Sequence, residues 1–287
     1  MLLALLLFAA GFGAAVLWMR PRAALEAPAV RAGRAAAAVA PPRAAQRRSA
    51  HPAPREEGIV LAADPSPAPR LAIVVDDLGN DDAALARVAA LPAAITGAVL
   101  PGLPRSRESA QTLRSAGKEV LLHLPMEPLD RSARPGPGLV KVGMTAGDIT
   151  QVLTADLADV PGADGVNNHM GSRASADRPT MDAVLSVLKK RGLYFLDSRT
   201  TAFTVAAEEA GRLGVPCRSR SVFLDDVAEE SAIRRQLDRA VEDARAEGAA
   251  IAIGHPHPAT LAVLERALPE LRGKGIRLVR VSDLFSR

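Results

Sequence analysis

The sequence predicts an α/β fold, a distorted (β/α) barrel of about seven or eight parallel strands, preceded by an N-terminal transmembrane helix and a disordered linker. Three observations predict it. Short apolar runs alternate with helix-period segments from Leu71 onward. The runs are continuously apolar, as in strands covered on both faces. Acids and histidines fall at their carboxyl ends, where barrels keep their chemistry. An open doubly wound sheet is the other arrangement that this rhythm allows.

The elements follow in order. Residues 1–19, MLLALLLFAAGFGAAVLWM, carry no charged side chain, and a helix of that length at about 1.5 Å per residue approaches the ~30 Å hydrocarbon core. Arg20 and Arg22 follow the apolar run rather than precede it, which favours an uncleaved anchor over a signal peptide. Read literally, the positive-inside rule keeps the Arg-rich side in the cytoplasm, whereas a basic segment before Leu2 would send the folded domain outward. The expected location is the inner membrane, with the folded domain in the periplasm. Residues 20–69 are rich in Ala, Pro and Arg without hydrophobic period and form a linker. The barrel domain occupies residues 70–287. Its strands are expected at LAIVVDD from Leu71, then at Ala94 to Leu100, Lys118 to Leu124, Asp164 to His169, Leu193 to Asp197, Ser221 to Asp225, Ala249 to His255 and Ile276 to Val281. Helices are expected from about Asp81 to Leu91 with Asn80 as N-cap, from Glu229 to Glu247, and from Ala259 to Leu271.

Composition removes several functions. Of 287 residues, 48 % are hydrophobic and 24 % charged, which fits one globular domain with an extension. The net charge of +4 lies wholly in the linker: residues 1–69 hold eight Arg and four acids, leaving 28 basic and 28 acidic residues in 70–287. Those arginines suit a solvated spacer, or attraction to an anionic membrane surface. One Trp and one Tyr furnish no stacking platform, so nucleic acid is not an expected partner. A single cysteine, Cys217, excludes an intramolecular disulfide and a Cys-rich zinc site. VVDDLGND stands where a G-x-G-x-x-G fingerprint would follow the first strand, no P-loop occurs, and no G-x-S-x-G elbow surrounds a serine.

Asp76, Asp77, His123, His169, Asp197, Asp225 and His255 all end expected strands. Singly, each is open to a plain reading as a buried histidine or a helix cap. In a parallel barrel, however, they converge on one mouth and offer the mixed N/O donors that a divalent metal accepts, Zn²⁺ foremost. Strand alternation places Asp77 on the face of Ile73 and Val75 and Asp76 on the opposite face, unless the strand has already ended. One carboxylate then ligates while its neighbour takes a proton from metal-bound water, whose pKa Zn²⁺ lowers to about 7. A hydrolase follows from that division of labour.

Together VVDDLGN, LLHLPMEP, GVNNHMGSR, FLDSRT and AIGHPHP, in this order between about Arg70 and Arg287, resemble the divergent polysaccharide deacetylase family. The resemblance implies a distorted (β/α) barrel and metal-assisted removal of acetyl from a cell-envelope sugar, by an Asp-His-His triad and a neighbouring Asp base. Carried over by position, it makes Asp76 the base, Asp77 and His123 ligands, and His255 the acid that protonates the leaving amine. The family's usual H-x-x-x-H reads His123-Leu-Pro-Met-Glu127 here, so the third ligand is either Glu127 or His169, with His169 preferred. The usual Arg-x-Pro-x-Gly motif is missing, and Gly171-Ser172-Arg173 stands nearby. Glu127, Asn168, Arg173, Asp197 and Arg199 complete the expected set as substrate contacts, helix capping being the alternative for Asp197 and Arg199. The partners implied are a carbohydrate substrate and, through the N-terminal helix, a membrane. The departures from the family motifs keep two other readings open, a membrane-tethered, noncatalytic glycan-binding or assembly protein and an esterase for small O-acetyl compounds.

Overall fold

A computed structural model describes residues 68–92 and 94–285. The expected anchor at 1–19 and linker at 20–69, apart from Ala68 and Pro69, lie outside the described residues. Among the described residues, no helix is long and apolar enough to cross a membrane.

Nine strands and seven α-helices are described. They run β1 (Arg70–Leu78), α1 (Asp82–Ala90), β2 (Thr96–Val99), α2 (Ser106–Ser115), β3 (Glu119–Met126), α3 (Ala146–Asp159), β4 (Gly165–Met170), α4 (Arg178–Arg191) and β5 (Tyr194–Asp197). There follow α5 (Ala206–Leu213), β6 (Cys217–Ser219), β7 (Val222–Phe223), α6 (Glu230–Glu247), β8 (Ala249–Gly254), α7 (Pro258–Gly273) and β9 (Arg277–Val279). The strand order is β6-β5-β4-β3-β2-β1-β8-β7, with β9 beside the start of β1, and every ladder is parallel.

The two end strands, β6 and β7, are neighbours in the chain, joined only by Arg220 and Ser221. Two linking residues span roughly 10 Å at most, so the sheet must curl until its ends nearly meet. The link itself crosses the gap: Arg220 N donates to Asp197 O on β5, and Ser221 N to Ile251 O on β8. No ladder joins β6 to β7 among the described residues, so the barrel is curled but not closed. Strand β6 is absent from the sequence expectation, because none of its three residues is buried and they carry no apolar run.

Burial on both faces explains the continuous apolar runs. Leu71, Ile73 and Val75 of β1 pack outward with the helices, while Ala72 and Val74 point inward with Ala98, Leu121, Leu196, Ile251 and Ile253. Each large aliphatic side chain fully buried this way contributes about 1.5–3 kcal/mol. The amino-end of the barrel is plugged by Val281, Leu284 and Tyr194. There the buried Glu119 carboxylate accepts from Thr96 Oγ1 and from the Val281 and Ser282 amides. Polar groups at the other, carboxyl end therefore stand over an apolar floor.

Helix α1 is capped by Asp81 rather than by Asn80. Its Oδ1 accepts from the Ala83 and Ala84 amides at 2.9 and 3.0 Å, satisfying two donors that the first turn leaves free. The other two expected helices appear as α6 and α7 within two residues of their predicted ends.

Candidate active site

Asp76 continues the inward series of Ala72 and Val74 and is 2 % exposed. Alternation alone would send Asp77 outward, and the structure corrects that expectation. Asp77 has φ +55°, a left-handed conformation that Asp tolerates better than most residues. The β1–β2 register shifts between Val75 and Leu78 at the same place. The turn of backbone brings both carboxylates to one mouth, although the strand runs on to Leu78.

On β3, His123 follows Leu121 on the inner face, and on β4 Asn167 and His169 do the same. Nε2 of His123, Nδ1 of His169 and Oδ1 of Asp77 form a triangle with sides of 3.1, 3.0 and 3.1 Å. Tetrahedral Zn²⁺ with bonds of about 2.0–2.1 Å sets ligand atoms about 3.3 Å apart, so the three donors have nearly the spacing of one face of such a site. Asp77 Oδ1 is buried and receives no hydrogen bond. A buried acceptor without a donor is costly, and a cation at the centre of the triangle removes that penalty. The residues present fit a divalent metal ion.

Asn167 decides how His123 is presented. Its Nδ2 donates to Asp76 Oδ1 at 2.8 Å, which leaves its Oδ1, 2.9 Å from His123 Nδ1, to accept a hydrogen bond from the imidazole N–H. The neutral ring then carries its hydrogen on Nδ1 and turns the Nε2 lone pair toward Asp77 and His169. Burial raises the Asp76 pKa against the neighbouring imidazoles. Burial works the same way on Asp77, but the close His123 and His169 rings prevail and hold its carboxyl far below the usual range. His123 is depressed by burial and lifted by Asp76 and Asp77, with a net rise.

His255, just beyond β8, is fixed by Asp225, just beyond β7. Asp225 Oδ1 lies 3.0 Å from His255 Nδ1, and its Oδ2 accepts from the His255 amide and from Thr260 Oγ1. Phe223 stacks on the same imidazole with ring centroids 5.4 Å apart. The free Nε2 is 3.9 Å from Asp77 Oδ2. Burial lowers the His255 pKa, but the Asp225 hydrogen bond and the charges of Asp225, Asp77 and Asp76 win and take it up to about 9. Asp225, His255 and His257 also place donor atoms within 4.8 Å of one another, yet both Asp225 oxygens already accept hydrogen bonds. That group is built as an oriented imidazole.

The remaining expected residues divide. Glu127, weighed as a ligand, turns away: Oε1 accepts from Arg173 and Oε2 from the Val142 amide, each at 2.8 Å. It braces the loop after β3 against the loop after β4. Asn168 is 1 % exposed and its amide joins Met170 O to the Ser198 amide, so it ties two loops together. Asp197 is likewise 1 % exposed and accepts from the Arg199 amide and Thr204 Oγ1. Arg173 and Arg199 are exposed at the mouth and line separate cavities. Asp77 and His169 open on a third cavity of about 330 Å³, bounded also by Asn80, Leu100, Pro125 and Arg134, within the usual range for small-molecule sites. Sequence reasoning missed Asn167 as a site residue, although its place two residues before His169 puts both on one face.

The comparisons with known proteins agree with this architecture. The chain is 40% identical over 228 residues to the uncharacterized protein YibQ of Escherichia coli (strain K12), covering 79% of this chain and 71% of that one. It is 38% identical over 216 residues to an uncharacterized protein of Haemophilus influenzae, covering 75% and 76% of the two chains. The crystal structure of an uncharacterized protein from Agrobacterium tumefaciens C58 is similar with a TM-score of 0.74 and 29% identity, over 77% of this chain and 91% of that one. Residues 73–285 match the family described as divergent polysaccharide deacetylase, and with the barrel and its mouth so arranged, the chain belongs to that family.

Proposed function

We propose that this protein is a metal-dependent hydrolase that removes acetyl groups from a cell-envelope poly- or oligosaccharide. The observation that carries this reading is the triangle of Asp77, His123 and His169 donors, with a carboxylate and an oriented imidazole on either side of it. In this reading those three residues hold the ion, Zn²⁺ foremost. A divalent ion there supplies Lewis-acid polarisation of the acyl carbonyl and a more acidic water.

The chain's own groups do the proton work. Asp76 has Oδ1 engaged by Asn167, while Oδ2 lies 3.6 Å from His123 Nε2 at the edge of the triangle, where it accepts the proton of the attacking water as general base. Addition of that water to the acetyl carbon is followed by cleavage of the C–N bond. His255, whose pKa the Asp225 hydrogen bond raises and whose Nδ1 that carboxylate anchors, donates its Nε2 proton to the departing nitrogen. The products are acetate and a free amino sugar. With the apolar run at 1–19 as anchor, the reading places the catalytic domain at the inner membrane, facing the periplasm.

The test is acetate release from an N-acetylated oligosaccharide by the full chain, zinc-loaded and chelator-stripped, beside Asp76→Asn. Loaded wild type is expected to turn over. Stripped protein, and Asp76→Asn at undiminished zinc content, should lose about 10²-fold or more. Equal turnover by Asp76→Asn and wild type defeats the assignment, and glycan binding without turnover by loaded wild type favours a noncatalytic binding protein.

A further inference from the structure

The link that bridges the ends of the barrel, Arg220–Ser221, forms one wall of a shallow cavity of about 270 Å³ whose other residues are Arg199, Thr201 and Ala202. Two arginines therefore line one small concavity. Neither forms an ion pair with any described carboxylate within 4.0 Å. Arg220 is held in place: Nε donates to Ser198 O at 2.7 Å, Nη2 to Arg199 O at 3.1 Å, and the guanidinium carbon lies 4.3 Å over the Phe223 ring. Phe223 stacks in turn on His255. The cavity thus stands one aromatic ring away from the imidazole at the reaction centre.

Arg199 has φ +49°, a left-handed backbone that an arginine rarely adopts. Strain of this kind costs about 1–3 kcal/mol and persists where the surroundings enforce it, commonly at ligand sites. Here Asp197 enforces it by accepting from the Arg199 amide, while the Arg199 side chain makes no hydrogen bond to any described residue and is exposed. Burial lowers the Arg220 pKa, with Asp226 opposing and Arg199 reinforcing the fall. The charges of Asp226, Asp197 and Asp76 partly offset that fall, but none of these carboxylates closes an ion pair with either guanidinium, so both keep N–H groups free for a ligand. Guanidinium pairs suit carboxylate and phosphate, whose oxygens accept two parallel N–H bonds.

We propose that the Arg199–Arg220 cavity is a subsite for an anionic substituent, a carboxylate or a phosphate, of the glycan whose acetyl group lies at the metal centre. The proposal rests on the hydrolase reading above and names its substrate class, an acidic rather than a neutral acetylated sugar chain. In this proposal both arginines act on the anionic substituent rather than on the scissile acetyl group.

The experiment is titration calorimetry on the full chain, so that binding is read without turnover. The probes are a neutral N-acetylated tetrasaccharide, the same tetrasaccharide bearing carboxylates, and the same bearing phosphates. At least one anionic probe should bind about tenfold or more tightly than the neutral one, with an advantage that shrinks at high salt. The preferred probe identifies the source of the charge. Arg199→Gln, at an exposed side chain without partners, should abolish the advantage while leaving neutral binding and thermal unfolding unchanged, and Arg220→Lys should weaken it. In turnover, Arg199→Gln should raise KM for the anionic substrate at constant kcat. Equal affinity for all three probes, no binding of any, or equal losses on neutral and anionic probes in Arg199→Gln would each overturn the subsite. Failure of the hydrolase reading shows separately, as missing zinc or missing acetate release.

Discussion

Asn167 joins the two halves of the candidate site by one amide, which donates to Asp76 Oδ1 at 2.8 Å and lies 2.9 Å from His123 Nδ1. The same side chain therefore orients the expected base and sets the tautomer of an expected ligand. Asn167→Ala should weaken zinc binding about 10–100-fold, the usual loss when a partner behind a ligand is removed. Competition with a chromogenic chelator measures this. Undiminished affinity would show that packing alone presents the His123 lone pair.

Glu127 and His169 make opposite predictions for metal content. Glu127 braces two loops through Arg173 and the Val142 amide, whereas His169 Nδ1 is a corner of the donor triangle. Glu127→Gln should retain a full equivalent of zinc after dialysis, and His169→Gln should retain little. Elemental analysis of the purified variants decides it, and loss of zinc from Glu127→Gln alone would reverse the assignment.

Asp77 supplies an oxygen from a left-handed backbone, so ligand chemistry and conformation are separable there. Asp77→Asn and Asp77→Val should both lose zinc. With chelator present, only the valine, β-branched and poorly tolerated at φ +55°, should cost about 1–3 kcal/mol in urea unfolding relative to asparagine. Equal stability of the two variants would mean that the turn relaxes freely.

This residue also marks where the sequence stops being legible. The parallel strands, their two-sided burial and the gathering of Asp76, Asp77, His123, His169 and His255 at one mouth can be read because apolar runs and strand-end polar residues are local patterns. The φ of Asp77 is not local: it follows from a register shift against β2, and strict alternation points to the wrong face. Strand β6 escapes because three residues, none of them buried, have no apolar signature. Asn168, and Asp197 with helix capping as its alternative, are expected to touch substrate on position alone, and only coordinates show their polar atoms engaged by loop residues Met170, Ser198, Arg199 and Thr204. Arg220 goes unnoticed because nothing in RSRSVF announces that it bridges the barrel's ends.

His255 owes its high pKa to Asp225, so the pair should control the alkaline limb of activity. In Asp225→Asn the Oδ1 contact persists without charge, and the imidazole should titrate lower. The fall of acetate release with rising pH should then shift about 1–3 units toward acid, the usual effect of a carboxylate at this distance. A bound cation lowers His255 in both proteins, so the difference between them is the measurement. Linkage has a matching sign. The His255 pKa in the folded chain, about 9, exceeds the ordinary 6.5, so its stabilising contribution is complete below about pH 6.5 and lost as pH rises through about 9. Unchanged alkaline limbs in the two proteins would remove His255 as the general acid.

Asp156 tests the same reasoning away from the site. It lies on α3, 6 % exposed, with Oδ2 lacking any hydrogen bond. Its carboxyl stands against Gly138 so closely that a Cβ there would come within 2.4 Å of Oδ1. Burial first, then the Asp159 charge, raises its pKa from 3.8 to about 7. The folded chain therefore binds this proton more tightly than the unfolded chain. Its contribution to stability is complete below about pH 3.8, declines above that, and is lost once pH passes about 7. Asp156→Asn holds a neutral group of the same shape at every pH. It should unfold like wild type near pH 4 but be more stable at pH 8, by on the order of 2–4 kcal/mol. Urea unfolding of both proteins at the two pH values checks this, and a difference independent of pH would mean that Asp156 ionises as an ordinary surface carboxylate.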